Sequence, residues 1–579
     1  MSRRLTEKYR QRLAVETGGH AAPWGGRLTV ALVYPNTYHQ AMSNLGFQTV
    51  YEWFNARDDA LCERFFLPDP EDIEEYRNGA ATLVSLESQR RLDDFDLVAF
   101  SISFENDYLH LPTLFDFANL PLWRSERDAR APLVLCGGVC AFLNPEPLAE
   151  IMDLFAVGEA EVILPPLVEK LLDPAATDRV ALLQGLAGIP GVYVPEFYQI
   201  SYTEDGCVRA IDAREGLPRR VRRQWMKNLD QSQSRTFINT PETEFSAMNL
   251  LEISRGCPRG CRFCAAGFIY LPFREHSATH LLQQVRQFGA GQNKVGLVGA
   301  AVSDYRECAA LGEAILAEGG EVSVSSVRVD SIDAGQVSVL ARSGHKTLAL
   351  APEAGSQKMR DVINKKVDDQ QILRAVELIA AGGIPNIKLY FMIGLPGEDA
   401  EDIEAIFNLT LQIRAVWQAI GRTRGKLGHM TLSINPFVPK PFTPLQWAPM
   451  ESRMSLEKKY RFLQGKIRPL PNVGINLESL KLSELQALLA RGDRRCGRLL
   501  PALSQGESLR KACRKAGLEP AFFLSRERTA HEVFPWEVID QGVTREYLWE
   551  EYRRALAGHS SGGCEPVCRR CGICAEGQC

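Results

Sequence analysis

Three closely spaced cysteines near the middle of the chain restrict what the loop that carries them can do. Residues 252–264 read EISRGCPRGCRFC, a C-x3-C-x2-C pattern made by Cys257, Cys261 and Cys264. Three thiolates on one short loop can each bind one iron of a cubane cluster, which leaves the fourth iron without a protein ligand. A structural zinc site needs four ligands, and the nearby candidates for the fourth are His276 and His280. The spacing therefore favours an iron–sulfur cluster over zinc or free thiols.

A second group of cysteines lies at the C-terminal end of the chain. It has the pattern C-x3-C-x2-C-x2-C and consists of Cys564, Cys568, Cys571 and Cys574. Crowded thiols of this kind are more often metal ligands than disulfides, and the odd total of 15 cysteines argues against a closed disulfide framework. We interpret this tail as a metal site, and we favour an auxiliary iron–sulfur cluster over a structural zinc, with a flexible, oxidised tail as the remaining alternative.

Composition places the chain among ordinary globular proteins and excludes some functions. The 579 residues are 45% hydrophobic and 24% charged, enough for about three or four domains. The formal net charge of −4 excludes a globally basic nucleic-acid binder. No apolar run reaches the length of a membrane helix, and the N-terminus lacks the apolar stretch of a secretory signal. We therefore expect a cytoplasmic protein.

The N-terminal part alternates short apolar runs with helical patterns, which predicts an α/β domain over residues 24–180. The strand candidates are residues 28–34, 97–103, 133–137 and 154–158, with helices at residues such as 43–54 and 161–172. Alternation of this kind indicates a doubly wound, Rossmann-like sheet. Its ligand would lie at the carboxyl ends of the strands, in the loops at 34–39, 105–108 and 137–147.

The rest of the chain divides into four further segments. Residues 181–246 read as a linker with a hairpin and a basic stretch at 214–227, which is either solvated or contacts phosphate. Residues 247–455 contain six strand candidates with intervening helices, which predicts a partial (β/α)6 barrel of the TIM-barrel type. Residues 456–560 read as mostly helical, and residues 561–579 form the cysteine-rich tail.

The C-x3-C-x-F-C pattern at the first barrel strand resembles the radical S-adenosylmethionine (SAM) superfamily. The resemblance implies a 4Fe–4S cluster whose open iron binds SAM, an electron donor such as flavodoxin or ferredoxin, and cleavage of SAM to a 5′-deoxyadenosyl radical. Arg328 and Glu353 fall where this superfamily places polar contacts to SAM. The segment FMIGLPGE resembles the superfamily's motif beside the adenine, and it supplies Gly394, Pro396 and Gly397. The glycine motif after the second strand is not clear, and Gly299 occupies its place.

The N-terminal domain resembles the cobalamin-binding domain that precedes the barrel in one radical SAM branch. The matching pieces are YPN at 34–36, NLG at 44–46, GG at 137–138 and GEAE at 158–161. The Asp-x-His-x-x-Gly pattern of many cobalamin proteins is absent, and we interpret His39 as a loop histidine. The resemblance therefore implies either cobalamin bound without a protein lower ligand or a domain that kept its fold and lost its ligand. Cys136 and Cys140, beside the glycine pair, are either small buried residues or a second thiolate site.

The expected function is a radical SAM enzyme, with cobalamin-dependent C-methylation of an unknown substrate as the natural reaction if cobalamin binds. One alternative is a cobalamin-independent modification of RNA, similar to methylthiolation, with the basic linker on phosphate. Another is a non-catalytic Fe–S or cobalamin sensor. The substrate class, whether small molecule, peptide or RNA, is left open by the sequence.

Overall fold

A computed structural model describes residues 3–20, 23–173, 178–245, 248–288, 294–425, 427–564 and 568–576. Its N-terminal part is built on one sheet of six strands, β1 (Leu28–Tyr34), β2 (Ala60–Phe66), β3 (Leu97–Ser101), β4 (Leu133–Gly137), β5 (Leu154–Ala156) and β6 (Val192–Tyr193). The order is β2-β1-β3-β4-β5-β6, and all neighbours are parallel except β5 and β6. The prediction of a doubly wound α/β domain is confirmed.

The first eight helices belong to this N-terminal part. They are α1 (Arg3–Val15), α2 (Tyr38–Met42), α3 (Leu45–Asn55), α4 (Ile73–Arg77), α5 (Leu111–Phe117), α6 (Val139–Leu143), α7 (Ala160–Leu171) and α8 (Arg179–Ala187). Helix α3 begins after Asn44, whose side chain accepts a hydrogen bond from the amide of Phe47 and so caps the helix. This cap directs the chain away from the carboxyl end of β1.

The segment predicted to be a linker, residues 181–246, pairs and packs with other parts of the protein. Strands β7 (Tyr198–Tyr202) and β8 (Val208–Ala213) form the expected hairpin, whereas β9 (Val221–Arg222) pairs with β19 (Ile539–Asp540) near the C-terminus. Within the basic stretch, Arg220 forms an ion pair with Glu537 at 2.7 Å and Arg223 is buried. Burial lowers the pKa of Arg223 to about 10. Arg223 is therefore part of the interior, whereas Arg220 is paired at the surface.

The middle of the chain forms an open barrel of parallel strands. Its strands, with a short hairpin at the start, are β10 (Met248–Glu252), β11 (Ser254–Arg255), β12 (Arg274–Glu275), β13 (Lys294–Val298), β14 (Glu321–Val324), β15 (Thr347–Glu353), β16 (Asn386–Ile393), β17 (Met430–Pro436) and β18 (Val473–Leu477). They form two parallel sheets, β10-β13-β14 and β15-β16-β17-β18, and β11 pairs antiparallel with β12. The carboxyl ends of the parallel strands define the face that positions the site.

Helices cover the outside of this barrel. They are α9 (Ala266–Ile269), α10 (Ala278–Val285), α11 (Cys308–Ala317), α12 (Ala334–Arg342), α13 (Gln357–Val362), α14 (Asp369–Ala381) and α15 (Ala400–Thr423). Asp399 caps α15 by accepting hydrogen bonds from the amides of Glu401 and Asp402. The barrel strands share one hydrophobic core with α10, α11, α12, α14 and α15, and this core also takes in side chains from beyond residue 455 such as Leu463 and Ile467. The buried apolar side chains of α9 and α13 belong to the core of the N-terminal sheet.

The C-terminal region is mostly helical, as predicted, and packs chiefly on the N-terminal domain. Its helices are α16 (Arg453–Ile467), α17 (Leu480–Arg491), α18 (Leu500–Ser504), α19 (Leu509–Lys515), α20 (Pro520–Leu524) and α21 (Arg545–Leu556). Buried residues such as Leu488, Cys513 and Trp536 belong to the same core as the N-terminal sheet. None of the helices in the described ranges is both long and apolar enough to cross a membrane.

Candidate functional site

The loop that carries the three central cysteines connects β11 to α9. Cys257, Cys261 and Cys264 are all free thiols; Cys261 is buried and the other two are half-buried. Gly256 has a φ of +86°, and a Cβ there would come 2.7 Å from the carbonyl oxygen of Tyr270. This position therefore requires glycine, because a side chain would both strain the backbone and collide with the returning chain.

Arg262 lies inside the cysteine loop and ties it to the C-terminal region. Its guanidinium is fully buried and donates hydrogen bonds to the carboxylate of Glu551 at 3.0 Å, the carbonyl oxygen of His559 at 2.7 Å and the hydroxyl of Ser561 at 3.0 Å. A buried guanidinium needs such partners, because an unpaired charge in the interior is costly. The loop is thus held from behind by helix α21 and the residues that follow it.

Arg328, predicted to contact SAM, lies beside the cysteine loop. Its guanidinium donates to Asp330 at 3.0 Å, and the same carboxylate accepts a hydrogen bond from Arg259 of the loop at 2.9 Å. Arg259 also pairs with Asp304. Burial disfavours the charge on Arg328, but the nearby Cys261 and Asp330 raise the pKa of Arg328 above its ordinary value. Strand β14 ends at Val324, so Arg328 lies in the loop beyond the strand.

Glu353, the second predicted contact, ends strand β15 and pairs with a buried lysine that sequence reasoning missed. Its carboxylate lies 3.2 Å from Nζ of Lys365. Burial opposes the charge of Lys365, whereas Glu353 and Cys261 raise the pKa of this lysine. Glu353 has a φ of +67°, and both neighbours of Lys365, Asn364 and Lys366, have positive φ as well. Non-glycine residues with a positive φ cluster at functional sites, but the sequence alone does not show which residues adopt a positive φ.

The predicted glycine motif forms a tight turn at the carboxyl end of β16. Gly394 is buried at a φ of +83°, and its amide donates to Oε1 of Glu398 at 2.8 Å. Lys459 lies 2.5 Å from the same carboxylate. Pro396 and Gly397 continue the turn, half-buried and exposed respectively. Glu398 therefore stabilises the turn, and the backbone of the turn lies at the carboxyl end of β16.

The residues on this face fit both groups that the sequence pattern implies. The three cysteines are free thiols on one loop, as a cubane requires. Arg328, Lys365 and Glu353 supply charges of both signs for an amino acid zwitterion. Ser254 adds a buried hydroxyl without a hydrogen-bond partner in the described part of the chain. A Cβ on Gly299 would come 2.8 Å from that hydroxyl, so the place of the missing glycine motif is a close-packed turn.

The cysteine tail lies against the cysteine loop. The amide of Cys564 donates to the carbonyl oxygen of Pro258 at 2.7 Å. A small cavity is lined by loop and tail together, including Cys257, Cys564, Cys568 and Cys571. The fourth predicted ligand, Cys574, is disulfide-bonded, and residues 565–567 and 577–579 of the predicted tail domain lie outside the described residues.

The separation of the thiols bears on which metal would suit them. In the described ranges, no three cysteine sulfurs lie within 4.8 Å of one another. A single zinc ion with Zn–S bonds of about 2.3 Å would bring its sulfurs closer than that. A cubane holds thiolates farther apart, because each sulfur binds a different iron. Neither cysteine group therefore has, among its described residues, three sulfurs close enough together to share one zinc ion.

Two glutamates that the sequence pattern assigned to the N-terminal domain brace the barrel. Glu159 is buried and accepts hydrogen bonds from Arg274 at 2.7 Å and Arg255 at 2.9 Å, and Glu161 accepts one from Arg255 at 2.6 Å. Burial opposes ionisation, but the bonds from Arg274 and the charge of Arg255 lower the pKa of Glu159 to about 2. Arg255 directly precedes the cysteine loop, so this motif positions that loop.

The carboxyl edge of the N-terminal sheet faces the barrel and the C-terminal region. Glu105 lies 2.5 Å from Nζ of Lys440 and accepts a hydrogen bond from Gln486 of α17 at 3.1 Å. His39 is exposed and lies in the short helix α2, not in a loop as predicted. Cys136 and Cys140 are buried free thiols, and burial raises the pKa of each.

The chain resembles known proteins both in its sequence and in its fold. The family model described as "Radical SAM proteins, N-terminal" matches residues 46–195, and the model "Radical SAM superfamily" matches residues 251–410; together they span more than half of the chain. The uncharacterized protein MJ0966 of Methanocaldococcus jannaschii is 28% identical over 493 residues, which are 84% of this chain and 94% of that protein.

Two solved structures resemble the chain at low sequence identity. The radical SAM methyltransferase TsrM from Kitasatospora setae, with cobalamin and a 4Fe–4S cluster bound, has a TM-score of 0.47 and 16% identity over 73% of this chain and 77% of that one. The cobalamin-dependent SAM radical enzyme OxsB, with aqua-cobalamin bound, has a TM-score of 0.44 and 15% identity over 82% of this chain and 66% of that one.

Proposed function

Because this chain belongs to the radical SAM superfamily, we propose that it is an enzyme that cleaves SAM reductively to a 5′-deoxyadenosyl radical. Cys257, Cys261 and Cys264 would hold the 4Fe–4S cluster, which supplies the electron for this cleavage when it is bound. The observation that carries the proposal is the convergence of three free thiols with Arg328 and the Lys365–Glu353 pair.

The surrounding residues would bind and orient SAM and keep water out. Arg328 offers a cation to the carboxylate of SAM, and Glu353 offers an acceptor to its amino group. The backbone of the Gly394 turn, with Pro396 and Gly397, would lie along the adenine. Phe142 of the N-terminal domain packs edge-on against Tyr270, with ring centroids 5.6 Å apart, and so closes one side of the face. Exclusion of water protects a carbon radical from side reactions.

The finer proposal is cobalamin-dependent C-methylation. The supporting feature is the carboxyl edge of the N-terminal sheet, which faces the barrel and carries a glycine pair without side chains at Gly137 and Gly138. The proposal includes no protein ligand to cobalt, because the Asp-x-His-x-x-Gly pattern is absent and His39 is exposed on α2. Cobalamin would bind without a protein lower ligand, and the Glu105 contacts to Lys440 and Gln486 would have to open to admit it.

The cysteine tail would hold a second metal centre next to the first. Cys564, Cys568 and Cys571 share a cavity with Cys257, which is the placement expected of an auxiliary iron–sulfur cluster that passes electrons to the SAM-binding one. Cys574 would join it as a ligand after reduction of its disulfide. The spacing of the sulfurs favours a cluster over zinc.

Anaerobic reconstitution with iron, sulfide and hydroxocobalamin tests these proposals together. We expect about eight irons per chain if both sites load four each, and 5′-deoxyadenosine from SAM and a strong reductant. About one cobalt per chain would support the methyltransferase; absence of cobalt would leave modification of RNA as the first reaction to test. A loaded cluster that releases no 5′-deoxyadenosine would contradict the enzyme and favour a sensor.

A matched pair of variants assigns the activity to the loop. Cys261→Ala should lose the iron of the central site and all 5′-deoxyadenosine formation, because a cubane with two thiolates is not held. Cys308→Ala, a half-buried thiol at the start of α11 and outside both groups, is the control and should retain both. Equal loss in the two variants would show that the central loop is not the site.

A further inference from the structure

Two histidines and an aspartate that belong to neither cysteine group converge where the linker meets the barrel. Asp230 belongs to the turn Leu229–Gln231 of the linker, His276 directly follows β12, and His280 lies in the first turn of α10. One ligand atom from each lies within 4.8 Å of the other two. The three residues come from different segments, so their meeting is a product of the fold.

His276 is buried with its ring nitrogens unused. Its side chain is 0% exposed, and within the described ranges neither Nδ1 nor Nε2 has a hydrogen-bond partner. Nδ1 lies 3.4 Å from Oδ1 of Asp230. A buried polar group without a partner is unfavourable unless something else satisfies it. A tetrahedral ion with bonds of about 2.0–2.1 Å holds neighbouring ligand atoms roughly 3.4 Å apart, which matches this separation.

The other two residues are held as metal ligands usually are. Nε2 of His280 lies 3.0 Å from the carbonyl oxygen of Ser232, so this nitrogen carries the proton and Nδ1 is left with a free lone pair. Oδ1 of Asp230 accepts a hydrogen bond from the amide of Ser277 at 2.9 Å. Outer contacts of this type orient ligands around protein-bound metals. The two imidazole rings are parallel within 8°, with centroids 5.4 Å apart, and the His280 ring is half-buried.

We propose that Asp230, His276 and His280 bind a divalent first-row transition ion, with zinc as the best match. Two imidazoles and one carboxylate suit zinc, and three protein ligands leave a fourth position for water. The ion would tie the linker to the hairpin β11–β12, because the amide of His276 donates to the carbonyl of Ile253 at 3.0 Å. It would thereby brace the base of the cysteine loop without taking part in its iron chemistry.

The test uses the full chain, reconstituted with iron and sulfide so that the thiols are occupied, and then titrated with zinc chloride. We expect one zinc per chain beyond the iron content. X-ray absorption at the zinc edge should show nitrogen and oxygen ligands at about 2.0–2.2 Å and no sulfur at about 2.3 Å. Asp230→Asn and His280→Asn should each weaken zinc binding at least about a hundredfold, since loss of an outer contact alone costs 10–100-fold.

Three comparisons keep this proposal open to refutation. His531→Asn, an exposed histidine remote in sequence from the site, is the control and should bind zinc like the parent protein. The proposal would be overturned if Asp230→Asn and His280→Asn both bound zinc with unchanged affinity. Sulfur ligands in the X-ray absorption spectrum of the bound zinc would also overturn it. His276→Asn removes a buried ring, so it is interpreted only if its iron content and melting temperature match the parent. None of these readouts depends on SAM cleavage.

Discussion

At the scale of single residues, the buried carboxylate of Glu159 connects the N-terminal domain to the strand before the cysteine loop. Its pKa lies below the ordinary value, at about 2, because Arg274 and Arg255 stabilise the anion more than burial destabilises it. A carboxylate with a depressed pKa contributes stability that is complete above its unfolded pKa of about 4.5 and is lost as the pH falls towards 2. Gly158 beside it is equally restricted, since a Cβ there would come 2.0 Å from the carbonyl of Gln224.

We therefore expect Glu159→Gln to lower the free energy of unfolding at pH 7 by roughly 3–5 kcal/mol, because two buried guanidinium groups lose their shared partner. The variant should also lose part of the parent protein's decline in stability between about pH 4.5 and 2. Denaturant titrations at several pH values measure both effects. The control is Glu196→Gln, a half-exposed carboxylate paired with Arg124, which should change stability by less than about 1 kcal/mol. Equal pH profiles for parent and Glu159→Gln would contradict the assignment.

Lys365 is the residue that we expect to be most informative about SAM. Lys365→Met removes the cation that faces Glu353, so the affinity for SAM should fall by roughly ten- to a hundredfold, the worth of one charge-assisted hydrogen bond. Equilibrium dialysis of SAM against the reconstituted protein measures this. Lys358→Met is matched to it, since Lys358 lies nearby in sequence but pairs with Asp399 and Asp402 at the surface. A similar SAM affinity in both variants would exclude Lys365 from the site.

At the scale of elements, helix α21 and the tail form the back wall of the cysteine loop. Arg262 reaches from the loop to Glu551 of α21, and Cys564 of the tail bonds to Pro258 of the loop. The tail is also tied to the start of α21, because the amide of Thr544 donates to the carbonyl of Cys571 at 2.9 Å. We therefore expect that the cysteine loop, helix α21 and the cysteine tail lose their packing together.

Arg262→Met tests this coupling. It leaves the buried Glu551 without its cation, which should cost roughly 3–5 kcal/mol of stability, and it should speed the alkylation of Cys564. Thermal unfolding and mass spectrometry of alkylated peptides give the two quantities. Arg554→Met, which removes an exposed pair with Glu550 on the same helix, should leave both near the parent values. Slow alkylation of Cys564 in Arg262→Met would show that the tail is held independently.

The elements that sequence patterns missed have physical explanations. Strand β2 was not predicted, because Glu63 and Arg64 interrupt its apolar run; both are buried, and Arg64 pairs with Glu16 and Glu87. Strand β18 lies within the segment predicted to be helical. Its five residues, VGINL, are too short for a clear period, and it is selected by parallel pairing with β17.

At the scale of the whole molecule, the predicted domains share their cores. The barrel core includes Leu463, Ile467 and Leu480 from beyond residue 455, and the N-terminal core includes Phe268 and Met392 from the barrel. Cutting the chain at the predicted boundaries therefore exposes apolar surface on both sides.

A fragment of residues 247–455 should not unfold cooperatively, because it lacks β18 and helix α16 against its own sheet. Circular dichroism and calorimetry should show a broad or absent thermal transition for the fragment and sharp transitions for the full chain. A cooperative transition in the fragment would show that the barrel is an independent domain and that the shared cores are dispensable.

The sequence by itself determined what depends on short separations along the chain. The pattern of Cys257, Cys261 and Cys264 lies within eight residues, and strands β1, β3 and β4 of the N-terminal sheet are short apolar runs, so local spacing was enough to indicate the cluster and the fold class. The tertiary structure decided the rest: that Lys365 faces Glu353, that the tail lies on the cysteine loop, and that Asp230 meets two histidines. These contacts join residues from separate segments of the chain. They cannot be read from a periodic sequence pattern, because the packing of the sheets and not local spacing brings the residues together.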